Sequence, residues 1–359
     1  MNNKDIKNIV ILAANGQVGL ELCLYLRDFE HISVKAIVRT EYAATILKRL
    51  NIQCLVGDIS KSEAIQEAIN QADLVFDLAA PSSGFINEIK KFYQLRLSEI
   101  FTYMRKETSF VFASTQAAFG YKEPMHAVLK YYFIPRSVYA ANKRYAERLC
   151  KKLGKRHGIN TYIFRLAEVH GVLQTSRAVI KDKIKKDYTF TINNTPTPAN
   201  TIFIYEIAKA LESITQRKER PGLYTMVSNH SWTWLEIIQY YAKEENKSLK
   251  INFIESQTSG IAKSFASLKN FIFSYLFLRR DTLMANFTFL SHLLPSMQYK
   301  VIRRRIDRIV KEQHLNPEFT HLVRFTGVLP GKRMQSIPDI KSDISNKEIF
   351  IQNELKKLL

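Results

Sequence analysis

The chain has 359 residues, 46% of them hydrophobic, and a formal net charge of +20 at pH 7. That length and apolar content exclude a disordered chain and suffice for one large domain or two unequal ones. The charge suits an acidic partner (a phosphorylated cofactor or substrate, an anionic membrane surface, an acidic carrier protein or nucleic acid), with solubility alone as the bland alternative.

Met1 to Asp5 lead straight into Asn8-Ile9-Val10-Ile11-Leu12, a short apolar run of the buried-strand kind. No long apolar segment with a small-residue cleavage site precedes it, so a cytoplasmic protein is expected. The run continues into Ala13-Ala14-Asn15-Gly16-Gln17-Val18-Gly19, and Leu20 to Leu26 follow with helical apolar spacing. Strand, glycine turn and helix in that order make a dinucleotide-binding turn credible. Gly16 would let the backbone approach a pyrophosphate at the helix N-terminus, and Gly19 would let the helix pack close to the strand. Ala13 stands at the first glycine position of the pattern G-x-x-G-x-x-G. Glycines needed only for packing are the alternative.

A second apolar run, Ser33 to Val38, ends at Arg39, where a carboxylate would bind the ribose 2′-hydroxyl of NAD. An Arg there suits the 2′-phosphate of NADP instead; a solvated strand-end Arg is the alternative. Ile52 to Val56 with Gly57-Asp58-Ile59 reads as a third strand and turn. Helical spacing follows from Ala64 to Ala72, and Asp73 to Ala80 reads as a fourth strand. Strands alternating with helices predict an α/β fold with a doubly wound parallel sheet. Ligands of such sheets bind beyond the carboxyl ends of the strands, where Asp58, Ala79 and Ala80 fall.

Ser109 to Thr115 predicts a fifth strand ending in two hydroxyl residues. Tyr139-Ala140-Ala141-Asn142-Lys143 then places Tyr139 and Lys143 one helical turn apart. A phenol near its reference pKa of ~10 is a poor acid or base at neutral pH, and a fixed ammonium one turn away should lower that value. A hydroxyl such as Thr115 would hold a substrate oxygen against the phenol. The bland alternative is a chance pair on a surface helix. Thr161 to Leu166 predicts a sixth strand, continuing into Ala167-Glu168-Val169-His170-Gly171. Cys23, Cys54 and Cys150 are odd in number and widely spaced, which fits reduced core thiols rather than a disulfide framework or zinc site.

Gly222 to Val227 reads as a late strand, and Ser231 or Thr233 opens a helix with Glu236 placed for a capping box. Trp232 and Trp234 are expected as core anchors. From Gly260 to Arg333 aromatic and aliphatic runs alternate with Lys and Arg, which far outnumber Asp and Glu. No run reaches the ~20 apolar residues of a membrane span. The segment suits an interfacial membrane helix, a lid over an apolar substrate, a docking face for an acidic carrier protein, or an ordinary helical cap. Phe325 to Arg333 reads as a loop, and a terminal helix is expected after Ile340.

In order and spacing these pieces resemble the extended short-chain dehydrogenase/reductase superfamily, in its NAD-dependent epimerase/dehydratase group, over roughly residues 8 to 240. The carriers are the glycine turn, Gly57-Asp58-Ile59, Leu78-Ala79-Ala80, Phe110 to Gly120, Tyr139-x-x-x-Lys143, Arg165 to Gly171 and Asn200 to Ala208. The resemblance implies a Rossmann-like cofactor domain (1–175 and 200–230) and a smaller, mostly helical, discontinuous substrate region (176–199 and 231–359). It implies Tyr139 as acid/base, Lys143 on the nicotinamide ribose, and Thr115 on the reacting oxygen with Ser114 beside it. Around the cofactor it implies Ala13, Asn15, Gly16, Gln17, Val18 and Arg39, Asp58 and Ile59 flanking the adenine, Ala79 and Ala80 along the dinucleotide, and Leu166. Ser82, Glu168 and His170 fall on the substrate side, with a packed, satisfied histidine as the alternative for His170.

Members acting on nucleotide sugars commonly carry Asn where this chain has Glu168 and Arg near Ala199. The expectation is therefore an NADP(H)-dependent oxidoreductase, NAD being the alternative cofactor, acting on a carbonyl or alcohol of a relatively apolar or carrier-bound small molecule. A nucleotide-sugar epimerase, dehydratase or reductase and a non-catalytic NADP sensor are the other readings. An acidic carrier protein or an anionic membrane surface is the expected macromolecular partner, oligomerisation is open, and nucleic acid is not expected.

Overall fold

The computed structural model describes residues 6–81, 86–119, 138–194, 196, 198–254, 329 and 331–358. The basic, aromatic stretch from Gly260 onward, together with Ser82, lies outside these residues apart from its last positions. Seven strands form one parallel sheet: β1 (Lys7–Leu12), β2 (Ile32–Val38), β3 (Gln53–Val56), β4 (Leu74–Asp77), β5 (Ser109–Thr115), β6 (Asn160–Leu166) and β10 (Gly222–Met226). Their order across the sheet is β10-β6-β5-β4-β1-β2-β3. Every strand predicted for this sheet is present, with ends displaced by a few residues at most. The order reverses between β1 and β4, and the crevice of a doubly wound sheet opens at that switch.

The strands are apolar on both faces because helices cover both. On one face lie α1 (Gln17–Arg27), α2 (Glu41–Arg49) and α7 (Ile204–Thr215), packed on Ile9, Ile11, Phe76 and Phe164. On the other lie α3 (Glu63–Asn70), α4 (Ile86–Tyr103) and α5 (Val138–His157), packed on Val10, Leu12, Val75 and Phe110. The alternation of partners along β1 follows from the two-residue period of a strand.

Two short parallel pairs stand apart from the main sheet. β7 (Glu168–His170) pairs with β9 (Thr201–Phe203), and β8 (Thr189–Asn193) pairs with β11 (Lys250–Ile254). A third cluster gathers α6 (Thr175–Lys185) and α8 (Trp234–Glu244) around Phe190, Trp232, Trp234 and Tyr241. Thr233 caps α8 with the expected box: its hydroxyl accepts from Glu236 N–H, and Glu236 accepts from Thr233 N–H. Both tryptophans are buried, at 4% and 3% exposure.

The terminal helix α9 (Ile344–Lys356) returns to the cofactor side. Glu354 pairs with Arg27 of α1, and Tyr25 donates to Lys347 O at 3.1 Å. All three cysteines are free thiols, and Cys23 and Cys150 are fully buried. Among the described residues no helix is long and apolar enough to cross a membrane.

Candidate active site

The loop between β1 and α1 is a tight turn. Ala13 sits at φ 59°, left-handed backbone that a glycine adopts without strain and an alanine does not. This is how the chain makes the turn without the glycine of the usual pattern. A Cβ on Gly19 would lie 2.7–2.9 Å from the Ala14 backbone, so Gly19 is required by helix–strand packing as expected. Gly16 differs: its Cβ would meet nothing closer than Ala13 O at 3.7 Å. The protein's own packing therefore does not demand glycine there, whereas a ligand backed against the turn would. Gly16 is also the N-cap of α1, with no side chain to satisfy the first-turn amides. Those amides and the helix dipole form an anion cradle.

In front of this turn lies a cleft of about 770 Å³, lined by Ala13, Asn15, Arg39, Asp58, Ala79 and Ala80 among others. Expected cofactor residues of four separate segments thus meet in one place, while Ser114, Lys143 and Leu166 are not among its lining residues. Arg39 is exposed at the end of β2, its guanidinium 5.6 Å from the centre of the Phe92 ring. Asp58 accepts from both Ser60 N–H (2.9 Å) and Ser60 Oγ (2.6 Å), which holds its carboxyl below the usual range. Ile59 turns inward at 4% exposure, Ala79 is buried and Ala80 is exposed. Val18 is half-buried against the core, and Gln17 accepts from the Thr175 hydroxyl at 3.1 Å. An ion pair missed by the motifs stands behind the cleft wall: buried Asp77, at the end of β4, holds Arg96 of α4, a lining residue, at 2.9 Å.

The chemistry-bearing side chains come together where β5 meets α5. Tyr139, Lys143 and Glu147 follow at four-residue spacing along α5, so they share one face. Lys143 is 2% exposed and donates to Ala113 O at 2.7 Å. Its ammonium lies 4.7 Å from the Phe112 ring centre and 6.0 Å from that of Tyr139. Burial pushes Lys143 down to about 8, against the opposing charges of Asp77 and Glu147. The expected lowering of the Tyr139 phenol is not present here. Tyr139 is 49% exposed, and its phenol is shifted up by desolvation instead, while the Lys143 ammonium donates to Ala113 O.

Ser114 is buried and donates to Glu147 at 2.5 Å, while Glu147 takes Arg165 in a two-point grip at 2.9 and 2.7 Å. The hydroxyl of Thr115 is half-buried at the strand end and accepts from Ala117 N–H at 3.2 Å. Leu166 ends β6 beside Thr115, its partner in the parallel register.

On the substrate side the expectation for His170 is corrected. It is 0% exposed, with Nδ1 2.7 Å from Tyr241 Oη, stacked on the Tyr241 ring and tilted against Phe203. Burial drives it to about 3, so it is a neutral core histidine and not a substrate donor. Glu168 is half-buried at the start of β7, its N–H bonded to Asn200 O at 2.9 Å.

Behind this segment the sequence missed Glu21, a fully buried carboxylate on α1. It accepts from Val172 N–H and Leu173 N–H, both at 3.0 Å, and so ties the cofactor helix to the loop after β7. A charged residue inside the apolar run Leu20–Leu26 was the signal that would have found it. Among the described residues no group of three or more His, Cys, Asp or Glu is placed to hold a metal ion.

The sequence model of the NAD dependent epimerase/dehydratase family matches residues 9–189, half of the chain. The chain belongs to that family. Its members are enzymes, and this epimerase/dehydratase-family chain shares their Rossmann-like fold. A curated relative, an uncharacterised membrane protein of Methanocaldococcus jannaschii, is 25% identical over 222 residues. That alignment takes in 58% of this chain and 62% of the relative's length. Among solved structures, UDP-glucuronic acid 4-epimerase of Bacillus cereus with UDP-glucuronic acid and NAD superposes with a TM-score of 0.51 at 20% identity, over 69% of this chain and 86% of that one. UDP-N-acetylglucosamine 4-epimerase of Methanobrevibacter ruminantium with UDP-N-acetylmuramic acid gives 0.52 at 19%, over 72% and 88%. At these identities the structural likeness speaks for the fold.

Proposed function

We propose that the protein is an NADP(H)-dependent oxidoreductase that works on a carbonyl or alcohol of a relatively apolar or carrier-bound substrate. The observation that carries this reading is Lys143: an ammonium buried to 2% exposure beside Tyr139, under the charge of the Asp77 that holds Arg96 of the cleft. Burying an isolated charge is costly, and a site that binds ribose hydroxyls and steers a proton gives that charge a purpose. The turn amides around Gly16 would hold the pyrophosphate, Arg39 a ribose 2′-phosphate, and Lys143 the nicotinamide ribose. A bound nicotinamide supplies hydride transfer. Tyr139, whose phenol is shifted up from its ordinary value, would give its proton to a carbonyl oxygen in reduction and take one back in oxidation. Thr115, at the strand end, would hold that oxygen.

A second reading, nucleotide-sugar epimerase or dehydratase, is favoured by the family and by the substrates of the solved neighbours. Against it, Ala199 is 3% exposed where a diphosphate-binding Arg would be wanted, and Glu168 adds a carboxylate to the same side. An acidic carrier or an anionic membrane surface is proposed as the partner of the basic stretch from Gly260 to Arg333, in keeping with the membrane designation of the archaeal relative.

Fluorescence titration with NADPH and NADH tests the cofactor assignment. NADPH should bind more tightly, Arg39→Asp should shift preference toward NADH, and an unchanged preference would refute it. Tyr139→Phe should retain dinucleotide binding and lose turnover across a panel of carbonyl substrates and UDP-sugars; turnover surviving in the Phe variant would refute the acid/base role.

A further inference from the structure

The cofactor cleft contains a second guanidinium that no sequence motif announces. Arg96 lies on α4 one turn beyond Phe92, so the two share a helix face, and both line the cleft. Phe92 is the ring on which the Arg39 guanidinium rests at 5.6 Å. Two arginines from different elements thus line one cleft, with Phe92 contacted by Arg39 and one helical turn from Arg96.

The two are held very differently. Arg39 is exposed at a strand end. Arg96 is fixed: its Nε and Nη2 both donate to Asp77 Oδ1, at 3.3 and 2.9 Å. Asp77 is fully buried and also accepts from Ala79 N–H at 3.1 Å, which ties the same carboxylate to the alanine turn along the cleft floor. Because a single oxygen takes both donors, the rest of the guanidinium fork remains for the cleft that Arg96 lines. Two acidic groups also line the cleft: Asp58, whose carboxyl Ser60 holds below the usual range, and Glu99, whose carboxyl is shifted up by burial and by Asp58 against the lowering effect of Arg96.

We propose that Arg96 is a specificity-determining residue of this cleft, gripping a phosphomonoester on the dinucleotide ribose together with Arg39, and that Asp77 is the positioning residue that presents it. The inference rests on the NADP(H) reading above. A guanidinium already immobilised by a buried carboxylate gives up little side-chain freedom on binding, so it adds selectivity that an exposed strand-end Arg alone does not.

The test is dinucleotide affinity, which needs no substrate. Dissociation constants for NADPH and NADH are measured by fluorescence titration for the unaltered chain and for Arg96→Gln, Arg96→Lys and Asp77→Asn, with circular dichroism confirming the fold of each. Loss of one charge-assisted contact should weaken NADPH binding roughly 10- to 100-fold in Arg96→Gln while NADH changes less than about threefold. Arg96→Lys, which keeps the charge and loses the fork, should recover only part of the loss. Asp77→Asn should lower the NADPH:NADH preference in the same direction without removing Arg96. Equal loss for both dinucleotides, or no loss, would overturn the proposal. A chain that shows no NADPH preference before any substitution would overturn the cofactor reading itself, and the Arg96 proposal with it. If Arg96→Gln fails to fold, the preference measured on Arg96→Lys and Asp77→Asn decides.

Discussion

Glu21→Gln is the sharpest probe of how the cofactor helix is joined to the substrate-side loop. Glu21 is 0% exposed, and its two oxygens take the amides of Val172 and Leu173. Burial pushes its carboxyl up to about 7, against the lowering effect of those amides, of Gln174 and of Arg177. The folded chain therefore keeps a proton on Glu21 that the unfolded chain, with an ordinary glutamate near 4.5, has already lost. Between those two values the native state binds more protons, so its stability falls as pH rises through about 4.5 to 7. The gap corresponds to at most ~3 kcal/mol.

A glutamine carries no titration. Relative to the unaltered chain, Glu21→Gln should accordingly gain up to ~3 kcal/mol in stability on going from pH 5 to pH 8. At pH 5 the two should differ only by about 1 kcal/mol, for the amide group that cannot accept from one of the backbone N–H groups. Urea unfolding at half-unit pH intervals gives the difference directly. A difference that stays constant across the range would refute the assignment of a buried, titrating carboxylate at this junction.

Three further substitutions follow from the same geometry. Gly171→Ala would place a methyl 2.4 Å from Glu21 Oε1, and should cost about 1–3 kcal/mol, most of it removed in a Glu21→Ala background; additive costs in a double-mutant cycle would count against the clash. Lys143→Met should raise stability near pH 7 by about 1–2 kcal/mol, the relief of a buried ammonium less the lost bond to Ala113 O, while weakening dinucleotide binding; a less stable Met variant would contradict the account of Lys143. Ala13→Gly should be neutral or stabilising by up to about 1 kcal/mol, since the φ of 59° then carries no strain, and a loss of more than about 1 kcal/mol in urea titration would show the methyl to be packed for a purpose.

What was legible in the sequence was local. Strands such as Asn8–Leu12 and Ser109–Thr115 announce themselves because both faces of a parallel sheet are covered, which makes the runs continuously apolar. The glycine turn, Arg39, Asp58 and the Tyr139–Lys143 spacing were legible for a related reason: each is a short segment whose position at a strand end or helix turn follows from chain order. The pairings that shape the site from behind were not. Asp77 meets Arg96 across 19 residues and Glu21 meets Val172 across 151, and no periodicity connects such positions. His170 was ambiguous for the same reason, since its fate depends on Tyr241, 71 residues away. The direction of the Tyr139 shift also required three dimensions: spacing gave Lys143 the right face, but only the fold shows its ammonium committed to Ala113 O.

That commitment explains why the α5–β5 junction is built as it is. An ammonium at 2% exposure has three donors, and Ala113 O takes one of them at 2.7 Å. The aromatic rings of Phe112 and Tyr139 around it offer weak cation–π contact in place of full hydrogen bonding. Asp77 and Glu147 oppose the loss of its charge, yet neither forms a direct ion pair with it, because Asp77 is engaged by Arg96 and Glu147 by Arg165. Packing alone would favour a methionine at 143. Asp77 and Glu147 are each held by an arginine, so among the described residues the ammonium keeps donors in reserve at the junction of β5 and α5. The fold bears a stability cost there, and the cost falls on the one side chain whose charge a bound ribose and a phenolic proton would both use.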